Sequence, residues 1–129
     1  MSIPTFRHTQ DAPVPEDLEV NQSKRVLTLR YEDGSSIALP FELLRVYSPS
    51  AEVVGHGPGQ EILQTGKKNV GLIGLEPVGN YAVQPQFSDG HDSGLFTWAY
   101  LKWLGEHQDV LWADYLRRLE EAGGSREPL

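Results

Sequence analysis

Residues 83–98, V-Q-P-Q-F-S-D-G-H-D-S-G-L-F-T-W, constrain this chain more than any other stretch. The segment opens as a strand, breaks at a polar turn and runs on with helical spacing. Proline lacks an amide hydrogen, so Pro85 places the strand at an edge or ends its pairing. Gly90 and Gly94 bracket His91, Asp92 and Ser93, with Asp89 just ahead. Four side chains able to do chemistry therefore share one corner. Asp92 or Ser93 is placed to cap the following helix.

The flanking segments predict what that corner sits on. Leucines and Tyr31 alternate with polar residues over 26–31, the period of a half-buried strand. A shorter strand is expected at 18–20. Glu32-Asp33-Gly34-Ser35 supplies turn chemistry, and Ile37 and Leu39 lie on the returning strand. The opening is thus an antiparallel hairpin or three-stranded meander. Residues 40–46 read as a short helix with Pro40 in its first position, closed near residue 47 or 48 by the proline at 49. Residues 50–54 add one turn. Three glycines and a proline at 55–60 predict an irregular loop holding His56. Its spacing is not that of a phosphate loop. Residues 70–75 read as a strand, 76–80 as a turn or bulge, and 81–83 as the start of the partner strand.

From Leu95 the spacing turns helical, with Leu95, Trp98 and Leu101 on one face and Gly105 at the end. A second helix is expected over 108–122, with an apolar stripe of Trp112, Leu116 and Leu119 joined by Leu111 and Tyr115. Gly123 stops it. The fold class is α+β: a small, mostly antiparallel sheet covered by two C-terminal helices, with a short helix and a Gly-rich loop between strand groups. Residues 1–15 are expected as a flexible arm, 16–123 as a single domain and 124–129 as a frayed tail.

The 129 residues include no cysteine and carry a net charge of −7. Disulfides, thiolate catalysis and cysteine-held metal within this chain are excluded. An acidic surface disfavours nucleic acid and anionic membranes. No apolar run approaches the roughly 20 residues that span a bilayer. The first 15 residues lack a signal-peptide core. The expected setting is cytoplasmic, with a protein partner and no nucleic acid or membrane.

Leu44-Arg45, Ser48-Pro49-Ser50-Ala51-Glu52, Gly55-His56-Gly57, Leu75 through Tyr81, and Phe87 through Phe96 together resemble the gamma-butyrobetaine hydroxylase-like N-terminal domain family, in its small stand-alone bacterial form. The resemblance covers roughly residues 18–123. In the full-length hydroxylases this domain precedes an iron- and 2-oxoglutarate-dependent oxygenase domain and holds a structural zinc with three cysteines and one histidine. Related domains are fused to P-loop iron–sulfur carrier proteins. By that resemblance His91 matches the zinc histidine, while Ser48, Ser50 and Val53 stand at the cysteine positions. Hydroxyls and a valine do not replace thiolates. The chain is too short to add the oxygenase barrel, so hydroxylase activity is not carried over.

The corner then supports two functional classes. The preferred one is a non-catalytic accessory or interaction domain, linked through the resemblance to metal or iron–sulfur handling. There Asp89 shapes the turn, Asp92 or Ser93 caps the helix, and His91 hydrogen-bonds a carbonyl or the Ser48–Ser50 loop in place of zinc. The alternative is a small iron or zinc protein or enzyme, with His91, His56, Asp89 and Asp92 as candidate ligands. The helix N-terminus expected beneath the corner favours an anion and opposes a bare cation.

Overall fold

The computed structural model describes residues 6, 12–55 and 62–128. Three short strands open it: β1 (Asp17–Asn21), β2 (Val26–Arg30) and β3 (Ser36–Pro40), paired antiparallel in that order. Leu27 lies opposite Leu39, and Leu29 opposite Ile37. Leu27, Leu29 and Leu39 are fully buried. The alternation seen in the sequence thus marks one covered face. Each such leucine contributes about 1.5–3 kcal/mol of transfer free energy.

Pro40 ends β3 with an extended backbone (φ −61°, ψ 144°) and is also the N-cap of α1 (Phe41–Val46). The helix starts one residue later than the sequence suggests. All six of its residues are buried, so it crosses the interior. Glu42 and Arg45 therefore need partners inside the protein, because an unpaired buried charge is expensive. After Tyr47, one more turn follows as α2 (Ala51–Val54).

The second half builds a separate sheet, where the sequence suggested one shared sheet. Here β4 (Leu72–Val78), β5 (Ala82–Phe87) and β6 (Phe96–Thr97) pair antiparallel, with β5 central. Glu76, Pro77 and Val78, expected in a turn, belong to β4 and pair with Gln84, Val83 and Ala82. The reversal is confined to residues 79–81. Pro85 stays in register with Leu75 of β4. On the other side β6 pairs only Ala82 and Val83, so pairing there stops short of the proline.

Phe96 and Thr97 are taken by β6, and α3 (Trp98–Glu106) starts three residues after the predicted point. Its cap is the Thr97 side chain, which accepts a hydrogen bond from the Tyr100 amide at 3.1 Å. Neither Asp92 nor Ser93 caps it. Gly105 lies within α3, which runs on to Glu106 with His107 as its C-cap. A Cβ at Gly105 would sit 2.4 Å from Ile37 Cγ2, so this glycine lets α3 lie close on β3. In α4 (Gln108–Ala122) the buried stripe is Leu111, Tyr115 and Leu119, spaced four apart. Trp112 is half-buried and Leu116 is 40% exposed. The stripe is thus rotated from the one drawn through Trp112 and Leu116. Gly123, in the left-handed region at φ 68°, ends the helix.

The main apolar core joins both sheets to α1, α3 and the start of α4, and Val46, Tyr115 and Leu119 form a smaller cluster. Leu27, Leu39 and Phe41 meet Phe87, Phe96 and Leu101 within the main core. Residues 124–128, expected as a frayed tail, return to the body. The amides of Gly66 and Lys68 donate to the carbonyls of Ser125 (2.9 Å) and Arg126 (3.0 Å). The arm expected over residues 1–15 is described only at Phe6 and from residue 12. Phe6 packs edge-on to Tyr100 and Trp103. The Gly-rich loop, apart from Gly55, lies outside the described residues, as does His56. Among the described residues, no helix is long and apolar enough to cross a membrane.

Candidate functional site

The corner is held between the two halves of the chain. β5 ends at Phe87 and delivers residues 88–95 to the loop that links α1 to α2. The Phe87 amide donates to the His91 carbonyl at 3.0 Å, and the Gly90 amide donates to the Phe87 carbonyl at 3.0 Å. This tight turn directs the His91 side chain inward, where it is only 3% exposed.

Both ring nitrogens of His91 are occupied. Nε2 lies 2.8 Å from Ser48 Oγ and 3.3 Å from Ser50 Oγ. Nδ1 lies 3.2 Å from Glu52 Oε2, and the Ser93 hydroxyl donates to the other oxygen of Glu52 at 3.1 Å. A carboxylate only accepts, which assigns the proton to Nδ1 and leaves Nε2 to accept from Ser48. Burial lowers the imidazole pKa, and the Arg45 charge lowers it further. Glu52 and Asp89 counter this only in part. The histidine is therefore neutral. Gly94 closes the arrangement, because a Cβ there would sit 2.3 Å from Ser48 Oγ.

Asp89 faces a different way. Its Oδ2 accepts from Arg45 Nε at 2.8 Å and Lys67 Nζ at 2.6 Å, and its Oδ1 accepts from the His91 amide at 3.2 Å. Burial works against its ionised form. The hydrogen bonds from Lys67, His91 and Arg45 outweigh that cost and bring the pKa down to about 2. The buried Arg45 of α1 is thereby neutralised. Asp92 is exposed, and its backbone carbonyl accepts from Gln84 Nε2.

Of the candidate ligands, the fold brings His91 and Asp89 to one corner but turns their side chains to different partners. Among the described residues, no three His, Cys, Asp or Glu side chains converge as a metal site. Val53 is buried in α2, and the donors at Nε2 are two hydroxyls, a set that does not fit zinc. The anion reading loses its basis as well, since α3 begins at Trp98 rather than directly beneath the corner. The order carboxylate, imidazole, hydroxyl is that of a nucleophile relay. Here Ser48 is 2% exposed, so its hydroxyl is closed off from solvent. Sequence reasoning missed Glu52, Arg45 and Lys67. Two of them lie inside the segments that carry the resemblance, but nothing in spacing alone aims them at this corner.

The comparisons with known proteins agree with the fold. None of the curated proteins matches the chain. Two solved structures, both NMR solution structures, are similar to it. One has 54% identity, a TM-score of 0.77, and coverage of 90% of this chain and 91% of that one. The other has 46% identity, a TM-score of 0.80, and coverage of 97% and 93%. A crystal structure of a protein with unknown function of the DUF971 family, from Acidithiobacillus ferrooxidans, is 37% identical with a TM-score of 0.55, covering 71% of this chain and 92% of that one. The family model described as gamma-butyrobetaine hydroxylase-like, N-terminal, matches residues 18–102. That span carries both sheets and the whole His91 corner, and the chain belongs to this family.

Proposed function

We propose that the protein is a non-catalytic accessory domain that works through interaction, and that its His91 corner is a hydrogen-bonded clip standing where relatives hold zinc. One observation carries this reading: His91 is buried with both nitrogens engaged, Nε2 by the serines at two of the cysteine positions. Such a clip joins β5 to the α1–α2 loop without metal and leaves no open position for chemistry. Any role in metal or iron–sulfur handling then runs through a partner rather than through this clip.

Elemental analysis of untagged protein and of His91→Ala tests the proposal. Background metal in both is expected, with a stability loss of about 2–4 kcal/mol in the variant from hydrogen-bond partners left buried and unpaired. Near-stoichiometric iron or zinc that disappears in His91→Ala would overturn the clip and favour a metal-dependent protein. The converse test is Ser48→Cys/Ser50→Cys/Val53→Cys. This triple variant is expected to bind one zinc with tetrahedral geometry and to lose it when His91 is also replaced.

A further inference from the structure

β1 is the outer strand of the first sheet, and among the described residues no strand lies on its other side. The register shows which peptide groups face that side. The Tyr31 amide donates to the Ser35 carbonyl and the Phe41 amide to the Arg25 carbonyl. With Leu27 opposite Leu39 and Leu29 opposite Ile37, these alternate residues of β2 bond β3, and Val26, Thr28 and Arg30 bond β1. Their partners Asn21, Glu19 and Asp17 therefore turn their peptide groups towards β2. Leu18 and Val20 turn theirs outward, to the open edge.

The other edges are blunted. Pro77 of β4 has no amide hydrogen, and the Gln22 side chain holds the Leu72 carbonyl at 2.8 Å. On β3, Gln108 Nε2 holds the Ala38 carbonyl at 3.0 Å. Strand β6 is only two residues long. An edge left open is a template for another strand.

The side chains of β1 say which strand. Leu18 and Val20 lie opposite the buried Leu29 and Leu27. Val20 is nevertheless 37% exposed, so the rim of the core is uncovered there. On the opposite face Asp17 and Glu19 both pair with Arg30, at 3.3 and 2.6 Å. Two carboxylates thus share one guanidinium, and exposed Glu16 adds a further negative charge. A second copy does not suit this edge. The antiparallel register in which Leu18 bonds Val20 of the copy sets Glu19 directly opposite itself, and like charges so placed repel. A strand with cations at those positions is complementary.

We propose that an extended segment of a partner protein adds to β1 as an antiparallel strand. Its apolar residues cover Leu18 and Val20, and its alternate residues, lysine or arginine, face Asp17 and Glu19. This rests on the interaction reading and names its surface and partner class. The metal content of the clip, which tests that reading, is independent of any outcome at this edge.

The test is titration of the isotope-labelled full chain with acetylated Lys-Val-Lys-Val-Lys-Val amide, followed in proton–nitrogen spectra. Saturable shifts are expected at the Leu18 and Val20 amides, with binding that weakens as salt is added. In the added strand the valine N–H groups face β1, so the same peptide N-methylated at its valines should not bind. Nor should the peptide with glutamate in place of lysine. Val20→Pro removes an edge donor at a position where proline is tolerated. It should bind about tenfold more weakly, with its amide signals still dispersed. Glu19→Gln should bind about threefold more weakly. Absence of saturable shifts, equal binding of the N-methylated or glutamate peptide, or unchanged affinity in folded Val20→Pro would each overturn the assignment. A dimer of the chain that Val20→Pro disrupts would also overturn it, by giving the edge to a second copy.

Discussion

At the residue scale, His91 shows that neighbours decide what a histidine does. Flanked by glycine and acids in the sequence, it has the composition of a metal ligand. Once two hydroxyls and a carboxylate surround it, it becomes a neutral hydrogen-bonding strut. That state carries a pH signature. The unfolded chain takes up its histidine proton near pH 6.5, whereas folded His91 resists until lower pH. Between those values the unfolded state binds more protons, so stability falls as pH drops below about 6.5. Asp89 adds a second loss in the same direction. Its carboxyl ionises at about 2 in the fold against 3.8 ordinarily, worth roughly 2 kcal/mol that disappears between about pH 4 and pH 2. Urea midpoints measured from neutral to acid pH should show both phases. His91→Ala should lack the upper one and Asp89→Asn the lower. A wild-type midpoint that rises on acidification would contradict both assignments.

Elements here begin and end where pairing and packing allow, and local spacing misplaces several of them. Helical periodicity can be counted back to Leu95, but β5 offers Phe96 and Thr97 a strand partner, and Thr97 is then placed to cap α3. Gly105 looks like a stop signal by composition. It is a contact residue instead, set against Ile37 of β3. Gly105→Ala should therefore destabilise the protein by about 1–3 kcal/mol through overpacking, although alanine is the better helix former. Thermal melting decides between the two. A raised melting temperature would mean that propensity outweighs the contact.

For the whole molecule, the chain end closes the structure. Arg126 reaches Glu42 of α1 with two hydrogen bonds of 2.8 Å, and its guanidinium lies 5.2 Å from the centroid of the Trp112 ring. The Glu42 side chain is only 8% exposed, so this distant partner supplies the hydrogen bonds that water does not. Arg126→Ala should cost about 2–4 kcal/mol, because it leaves a buried carboxylate unpaired. Adding Glu42→Gln should recover part of that loss. Denaturation of the two variants checks this, and equal stability of Arg126→Ala and wild type would show the tail to be dispensable.

Short-range order was legible from the residues alone: the meander from its alternation, the start and end of α4 from periodicity and Gly123, and the strand–turn corner from its glycines. The segments 44–52 and 87–96 also carried the family. These features depend on neighbours within a few positions, where backbone sterics and side-chain period act directly. Tertiary structure alone decided the rest. It divided the strands into two sheets, assigned Phe96 and Thr97 to β6, and rotated the apolar stripe of α4. It also joined Glu52 to His91, Lys67 to Asp89 and Arg126 to Glu42. In the last of these, partners are 84 residues apart. Such pairings are set by burial, since a charge or donor shut away from water must find whichever partner the fold brings near.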